Sequence, residues 1–205
     1  MDLLKQYIKE NSTITNKEAE DLGYSRYNLQ VLTNAGKLKR LRPGLYQVKD
    51  ELVDDFVMIA SKSKRIIFSY QTALYLHDLS DRTPNVFHIS VPQGYNASHI
   101  KKRNDNIQVH YIKKDIHELG VTEINTPLGN KVLVYNLERT ICDLIVDREK
   151  IDKQIFIDGI TRYFKSDKKD LRQLIKYSRV FGIEEDVRKY MEVLSWLILR
   201  ASRGK

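Results

Sequence analysis

Apolar and polar residues recur with a helical period at the start of the chain, and three helices are predicted there. The first helix buries a stripe of apolar residues at the spacing of one helix face, namely Leu3, Leu4, Tyr7 and Ile8. The second begins at Thr15, where Glu18 stands at the position that completes a capping box, and it ends at Gly23. The third begins at Ser25 and ends at Gly36.

The third predicted helix has two different faces. Leu29 and Leu32 fall on one side and are expected to pack inward, at about 100° of rotation per residue. The other side carries long polar side chains that can reach base edges or phosphates. Together with the N-cap serine they are the candidate DNA contacts: Ser25, Arg26, Tyr27, Gln30 and Asn34. A short helix, a turn ending in glycine and a second helix with a polar outer face are typical of a helix-turn-helix.

The stretch KLKRLRPGLYQV, residues 37–48, is predicted to form a β-hairpin. Pro43 suits the second position of a β-turn, and Gly44 supplies the positive φ of a type II turn. The apolar residues that can pack on the helices are Leu38, Leu41, Leu45 and Val48. The cations left outside, which are further candidate DNA contacts, are Lys39, Arg40 and Arg42. The hairpin is therefore interpreted as the wing of a winged helix-turn-helix. The alternatives are a solvated basic surface and a winged helix that serves only protein contacts.

The rest of the chain mixes strand and helix patterns. The predicted elements are a helix over 52–63, a helix, loop and strand over 68–92, a strand over 107–113, a hairpin over 120–136, and helices over 137–147, 152–164, 169–181 and 184–200. We therefore expect an α+β protein. A winged helix-turn-helix domain over 1–50 is followed by an α/β C-terminal domain over 51–205, with a small sheet and a helical C-terminus.

Composition and charge add a partner to this picture. The 205 residues have a formal net charge of +8, which suits a polyanion. Residues 22–49 contain six Lys or Arg and no Asp or Glu, as expected when one face of a small domain meets phosphates. No apolar run approaches the roughly 20 residues of a transmembrane helix, and the N-terminus does not resemble a signal peptide. A single cysteine, Cys142, excludes an internal disulfide. We expect a cytoplasmic protein with double-stranded DNA as its partner and no membrane contact.

Candidate catalytic and metal-binding residues are few. Histidines recur every eleven residues at His77, His88, His99 and His110, but their predicted contexts differ, so we attribute the spacing to chance. The chain has no His-x-x-x-His, Cys-x-x-Cys or Gly-rich phosphate-loop motif. Cys142 lies beside an apolar helix stripe and is interpreted as a small buried residue. We expect no catalytic site, no metal and no cofactor.

Glu138, Arg139 and Asp143 share a predicted helix and are the strongest remaining candidates for chemistry. Neighbours in a helix point in different directions, so one of Glu138 and Arg139 is expected to face the sheet. A buried arginine needs a carboxylate partner, which predicts a structural ion pair. A nuclease would instead need clustered acids on adjacent strands, where Glu123 stands nearly alone.

Two further basic clusters are either solvated surfaces or additional nucleic-acid contacts. The first lies in a predicted loop and consists of Lys101, Lys102 and Arg103. The second is expected to align on one helical face and consists of Lys165, Lys169, Arg172 and Lys176.

Four segments of the chain resemble a known protein family. They read RPGLY at 42–46, YQTALYLHDLSDRTP at 70–84, VFHISVP at 86–92 and YNLERTICDLI at 135–145. Together with the preceding helices they resemble the AbiEi antitoxins of type IV toxin–antitoxin systems, which act in abortive infection, a form of phage defence. The resemblance spans most of the chain, and its best markers are the ALYLHDL and ERTICDL segments.

The resemblance implies a function that the residue patterns alone do not give. In that family the N-terminal winged helix binds inverted repeats in the promoter of its own operon and represses transcription. The C-terminal domain carries the antitoxin activity, and it opposes a nucleotidyltransferase-like toxin without forming a stable complex with it. The alternatives are a nuclease or modifying enzyme that uses the winged helix for targeting, and a plain transcription factor whose C-terminal domain senses a ligand.

Overall fold

The chain folds into two compact units. The computed structural model describes residues 4, 6–7, 13–50, 52–101 and 106–203. One unit consists of residues 1–66 and 123–132, and the other of residues 67–122 and 133–205. The functional boundary predicted after residue 50 stays a prediction.

The first unit combines short helices with a three-stranded antiparallel sheet. Its elements are β1 (Thr13–Thr15), α1 (Asn16–Asp21), α2 (Arg26–Asn34), β2 (Leu38–Arg42), β3 (Leu45–Val48) and α3 (Asp55–Ala60). The sheet has the order β1-β3-β2, so β3 pairs with both other strands. In the first predicted helix Leu4 and Tyr7 are helical, whereas Leu3 and Ile8 lie outside the described residues.

Side-chain caps fix where α1 and α2 begin. The Thr15 hydroxyl accepts a hydrogen bond from the Glu18 backbone N–H at 3.2 Å, and the Glu18 carboxylate accepts one from the Thr15 N–H at 2.7 Å. Ser25 and Asn28 form the same reciprocal pair at the start of α2. Because a cap satisfies helix N–H groups that have no partner within the helix, each is worth about 1 kcal/mol. The predicted helix starts are confirmed.

A small apolar cluster holds the first unit together. Its buried members are Leu4, Ile14, Ala19, Leu29, Leu38 and Tyr46. Leu29 is fully buried on α2, which contributes about 2 kcal/mol relative to an exposed leucine. This burial fixes the rotation of α2 and leaves the opposite side of the helix at the surface.

Asp54 is the buried polar centre of the first unit. Its Oδ2 accepts hydrogen bonds from the Thr126 hydroxyl and, at 2.8 Å, from the Asn130 side-chain amide. Its Oδ1 accepts a hydrogen bond from the Phe56 N–H at 2.9 Å and thereby caps α3. One carboxylate therefore links the start of a helix to the turn between two strands.

A five-stranded mixed sheet runs through the rest of the fold, in the order β6-β5-β4-β8-β7. The strands are β4 (Ile67–Phe68), β5 (Phe87–Pro92), β6 (Ile107–Ile112), β7 (Val121–Asn125) and β8 (Lys131–Tyr135). β5 runs antiparallel to β4 and parallel to β6, and β4 runs parallel to β8. Strands β7 and β8 contribute residues to both units. The two residues of β4 were not predicted, because so short a segment has no period of its own.

Helices complete the second unit. They are α4 (Tyr70–Leu76), α5 (Ser98–Lys101), α6 (Lys114–His117), α7 (Leu137–Val146), α8 (Lys153–Lys165), α9 (Leu171–Phe181) and α10 (Glu184–Arg203), with a 3₁₀ turn at Arg148–Lys150. α7 is buried along nearly its whole length. Gly159 allows α8 to pack closely against Leu74 of α4, because a Cβ at this position would lie 2.8 Å from a methyl group of Leu74. The mixed α/β architecture and the helical C-terminus agree with the prediction.

The polar residues of α7 form the predicted structural pair. Arg139 is fully buried, and its Nε donates a hydrogen bond to Asp143 Oδ1 at 3.0 Å. Its Nη1 donates to the carbonyls of Ile116 and Leu119 at 2.6 and 2.9 Å. Glu138 accepts a hydrogen bond from the Tyr163 hydroxyl. The predicted buried ion pair is confirmed, and it ties α7 to the α6 region.

Candidate functional site

The outer side of α2 is a polar surface without acidic residues. Arg26, Tyr27, Gln30 and Asn34 are all exposed, and Tyr27 keeps 75% of its accessible area. The Gln30 amide donates a hydrogen bond to Asn34 Oδ1 at 3.1 Å, so the two side chains form one polar ridge along the helix. The structure therefore brings these four predicted residues together on one surface.

Two of the predicted contacts on α2 already have partners within the chain. The Ser25 hydroxyl is engaged in the cap with Asn28, so this serine sets the start of the helix. Arg26 pairs with Glu20 at 3.3 Å, and both side chains are at least half exposed. Because exposed ion pairs contribute about 0–1 kcal/mol, a phosphate could replace Glu20 at low cost.

The β2–β3 hairpin has the predicted turn, and the turn is held against α1. Gly44 has a φ of +81°, as a type II turn requires. Its carbonyl accepts a hydrogen bond from the Asn16 N–H at 3.0 Å, and Leu45 pairs with Thr15 of β1. The tip of the hairpin therefore lies at the start of α1.

The three hairpin cations do not share one surface. Arg40 pairs across the hairpin with Tyr46, which packs in the apolar cluster with Leu29, so Arg40 lies on the helix side of the sheet. Lys39 is opposite Gln47 and, by strand alternation, faces the other side. Lys39 and Arg40 are both exposed.

Arg42 was predicted to lie outside, and that placement is wrong. Its guanidinium donates a hydrogen bond to the Ser61 carbonyl, and the residue is half-buried. Burial lowers the pKa of Arg42 below its usual range. A bulge between Arg40 and Arg42 changes the alternation of the strand at this point, which no spacing in the sequence indicates.

Two lysines that were not predicted as contacts extend the cationic surface. Lys37 and Lys49 are exposed and adjacent, since the Lys49 N–H donates a hydrogen bond to the Lys37 carbonyl at 3.2 Å. The Lys49 ammonium would lie 3.6 Å from a Cβ built on Gly36, which places it beside the end of α2. Both lysines lie in the segment 22–49, which contains no Asp or Glu, and this position in the sequence could have indicated them as contacts.

The second basic cluster does not follow one helical face as predicted. Lys165 is the last residue of α8, and Arg172 and Lys176 belong to α9. Lys169 lies in the connection between them, where its ammonium donates a hydrogen bond to the Ser166 carbonyl at 2.9 Å. The expected alignment assumed an unbroken helix, but α8 ends at Lys165.

Of the first basic cluster, the structure describes Lys101. This residue is exposed and ends α5, where a loop was predicted. The other two members, Lys102 and Arg103, lie outside the described residues.

Two of the regularly spaced histidines meet, which the sequence interpretation missed. His88 Nδ1 and His110 Nε2 are 3.0 Å apart on the neighbouring parallel strands β5 and β6. His88 pairs with Gln108 and Ser90 with His110, and this register puts both rings on one face of the sheet. The eleven-residue spacing in the sequence did not indicate this contact. His77 instead bonds the Tyr135 carbonyl, and His99 contacts Tyr95 at the surface.

Two further observations bear on the expected absence of chemistry. Across the residues that the structure describes, no group of three or more His, Cys, Asp or Glu side chains is arranged to hold a metal ion. Cys142 is buried, and this burial raises the pKa of its thiol to about 12. A thiol in such a site is a poor nucleophile.

No helix within the described ranges has the length and apolar character needed to cross a membrane.

Comparison with known proteins separates the evidence for the fold from the evidence for the family. A search of curated proteins finds no match. The crystal structure of the RV2827C protein from Mycobacterium tuberculosis is similar over 94% of this chain and 74% of that chain, with a TM-score of 0.55 and 10% sequence identity. At this identity the likeness concerns the fold alone. Residues 2–49 match the family model described as "Transcriptional regulator, AbiEi antitoxin". The resemblance found in the sequence is thereby confirmed over residues 2–49, where the chain is similar to the AbiEi antitoxin transcriptional regulators, and the ALYLHDL and ERTICDL segments lie outside the matched range.

Proposed function

We propose that the first unit is a winged helix-turn-helix that represses transcription by occupying operator DNA. α1 and α2 form the helix-turn-helix, with α2 as the recognition helix, and the β2–β3 hairpin is a short wing. The operator contains inverted repeats in the protein's own promoter, so that two copies bind one half-site each.

The exposed, acid-free side of α2 carries this proposal. Leu29 anchors the helix from behind, so Gln30 and Asn34 face outward with amide groups that can read adenine edges. Arg40 on the helix side of the hairpin, together with Lys37 and Lys49 near the end of α2, supplies positive charge for phosphates. The match of residues 2–49 to a family of transcriptional regulators supports the same activity.

The proposal extends to the antitoxin role of the whole chain. The protein would be the antitoxin of a type IV system in phage defence, acting in the cytoplasm against a nucleotidyltransferase-like toxin without a stable complex. It would act by binding and not by catalysis. A role of Lys165, Lys169 and Arg172 in further nucleic-acid contacts stays a prediction.

A salt titration of promoter binding tests the DNA interface. Fluorescence anisotropy with the promoter duplex gives the slope of log K against log salt concentration. Arg40→Ala should lower the slope by about 0.9, because one phosphate contact is lost, and should weaken binding to all sequences alike. Lys64→Ala removes an exposed cation of the same unit and is the matched control. An unchanged slope in Arg40→Ala would show that the hairpin does not contact the DNA through this residue.

Gln30→Ala tests the recognition helix separately. Loss of one base-edge contact should reduce discrimination between operator and mutated operator by about 1–3 kcal/mol while leaving the salt slope in place. Equal discrimination in this variant and the unaltered protein would mean that α2 does not read the bases.

Co-expression with a cognate nucleotidyltransferase-like toxin tests the antitoxin role. A full-length variant carrying both Gln30→Ala and Arg40→Ala should lose repression and still restore growth, if the two roles reside in different parts of the chain. Toxicity that persists with the unaltered protein would contradict the antitoxin assignment.

A further inference from the structure

The second unit contains a cleft that DNA binding does not use. It has a volume of about 920 Å³, within the range of roughly 300–1,000 Å³ typical of small-molecule sites. Strands β5 and β6 and helices α4 and α7 line it, together with the 3₁₀ turn and the end of α9.

The floor of the cleft is an ordered polar array. The His88–His110 pair lies on it, and the His110 ring stacks on Tyr70 with a centroid distance of 3.9 Å. The Tyr70 hydroxyl donates a hydrogen bond to Asp147 Oδ2 at 2.6 Å. Tyr70 is a non-glycine residue with a φ of +50°. Such backbone strain costs about 1–3 kcal/mol and concentrates at functional sites.

The histidine pair offers one donor and one acceptor to a ligand. Burial lowers the pKa of both rings to about 4, so both are neutral near pH 7. One ring donates to the other through the 3.0 Å bond. Whichever ring donates, the remaining nitrogens of His88 and His110 are one N–H and one lone pair. The ring centroids are 5.2 Å apart, so the two bonded nitrogens lie between the rings and the remaining nitrogens point away from each other. Each of them can therefore bond a separate group of a ligand, and a nucleobase carries both donors and acceptors along its edges.

The rim of the cleft is apolar and cationic. Four side chains that line it are between 42% and 52% exposed: Val86, Tyr111, Val146 and Val180. Large apolar side chains exposed around a polar floor are characteristic of ligand sites, where they cover the faces of a flat ring. Lys113 and Lys150 also line the cleft and are exposed, and such cations suit phosphate groups. Asp143 and Asp147 line the cleft as well; Asp143 pairs with the buried Arg139, and Asp147 pairs with Lys150, an exposed ion pair that a phosphate can replace at low cost.

From this arrangement we propose that the cleft binds a nucleoside phosphate. The base lies on the His88–His110 pair between the apolar side chains of the rim, and the phosphates lie at Lys113 and Lys150. This site goes beyond DNA binding and is independent of it, since every lining residue belongs to the second unit.

Isothermal titration of the full chain with ATP, GTP, CTP and UTP, each alone, tests the proposal. At least one nucleotide should bind with 1:1 stoichiometry and a Kd on the order of 10 µM. His88→Phe keeps an aromatic ring at this position but removes both ring nitrogens, so it should weaken the binding of both the nucleotide and its nucleoside by about tenfold. Lys113→Ala should weaken the nucleotide by about threefold and leave the nucleoside unchanged, because this exposed ammonium at the rim lies where the phosphates are placed.

Two controls keep the outcome decisive. Val180→Trp places a large group at the exposed mouth and should abolish binding, even if His88→Phe does not fold. Arg40→Ala should bind nucleotide as the unaltered chain does. The proposal is overturned if no nucleotide binds, or if inorganic pyrophosphate binds as tightly as the nucleotide. It is also overturned if binding survives Val180→Trp, or if Arg40→Ala weakens it as much as Lys113→Ala.

Discussion

Lowering the pH should destabilise the second unit through the His88–His110 pair. Burial lowers the pKa of each ring from its ordinary value of 6.5 to about 4. The neighbouring charges on this site are Asp147, which favours protonation of His110, and Lys150, which opposes it. Between about pH 4 and pH 6.5 the unfolded chain therefore binds more protons at these positions than the folded chain. Stability falls as the pH falls through this window.

The magnitude follows from proton linkage. At pH 5 a histidine with a pKa of about 4 when folded and 6.5 when unfolded lowers the free energy of unfolding by about 2 kcal/mol, against about 0.2 kcal/mol at pH 7. Because the two rings remain partly accessible to solvent, which screens the electrostatic penalty, about half of this change in the free energy of unfolding is expected. The pair should then account for a loss of about 2 kcal/mol between pH 7 and pH 5.

Urea unfolding monitored by the fluorescence of Trp196 measures this loss. Trp196 is the single tryptophan of the chain and lies in the second unit, so its signal reports that unit. The double variant His88→Gln with His110→Gln should lose about 2 kcal/mol less than the unaltered chain between pH 7 and pH 5. His99→Gln, which removes an exposed histidine, is the control and should behave like the unaltered chain. Equal pH dependence in the double variant and the unaltered chain would refute the reasoning.

Three further substitutions test the packing, each by urea unfolding monitored by circular dichroism. Gly120→Ala should destabilise the fold by about 2–3 kcal/mol, because its φ is +77° and a Cβ would lie 2.7 Å from the Cβ of Arg139. Gly94 also has a positive φ but leaves open space for a Cβ, so Gly94→Ala is the control, and an effect of Gly120→Ala smaller than that of the control would contradict this. Asp54→Ala should cost about 3 kcal/mol, because three buried donors lose their acceptor, whereas the exposed Asp55→Ala should cost less than 1 kcal/mol. Thr15→Ala should cost about 1 kcal/mol through the lost cap, and Thr15→Ser should restore most of it.

Features that depend on neighbouring residues were predictable from the sequence. Thr15 and Ser25 cap the two helices as predicted, and Gly44 has the positive φ of the predicted turn. The residues that form each cap or turn lie within about four positions of one another, so their spacing in the sequence is enough to predict the structure. The polar side of α2 was predictable for the same reason, since Leu29 fixes which side is buried.

Features that depend on distant partners were not predictable. Arg42 has the same local pattern as Arg40, and its position is set by the Ser61 carbonyl, nineteen residues away. The His88–His110 contact requires that β5 and β6 be parallel neighbours in one register. An eleven-residue spacing of histidines is compatible with many registers, so the period could not show which rings meet.

The positive charge of the chain is less available than its net value of +8 suggests. Arg139 is fully buried between Asp143 and two carbonyls, so it stabilises packing and contributes nothing to a surface. Arg42 is half-buried against a carbonyl, whereas Arg40, two residues earlier, is exposed. Because counterion release counts only the cations that reach phosphates, the salt slope of DNA binding should follow the exposed residues around α2 and the hairpin. Arg42→Ala should accordingly leave that slope unchanged and lower the stability of the first unit by about 1–2 kcal/mol. A slope that falls equally for Arg40→Ala and Arg42→Ala would show that Arg42 leaves Ser61 when DNA binds.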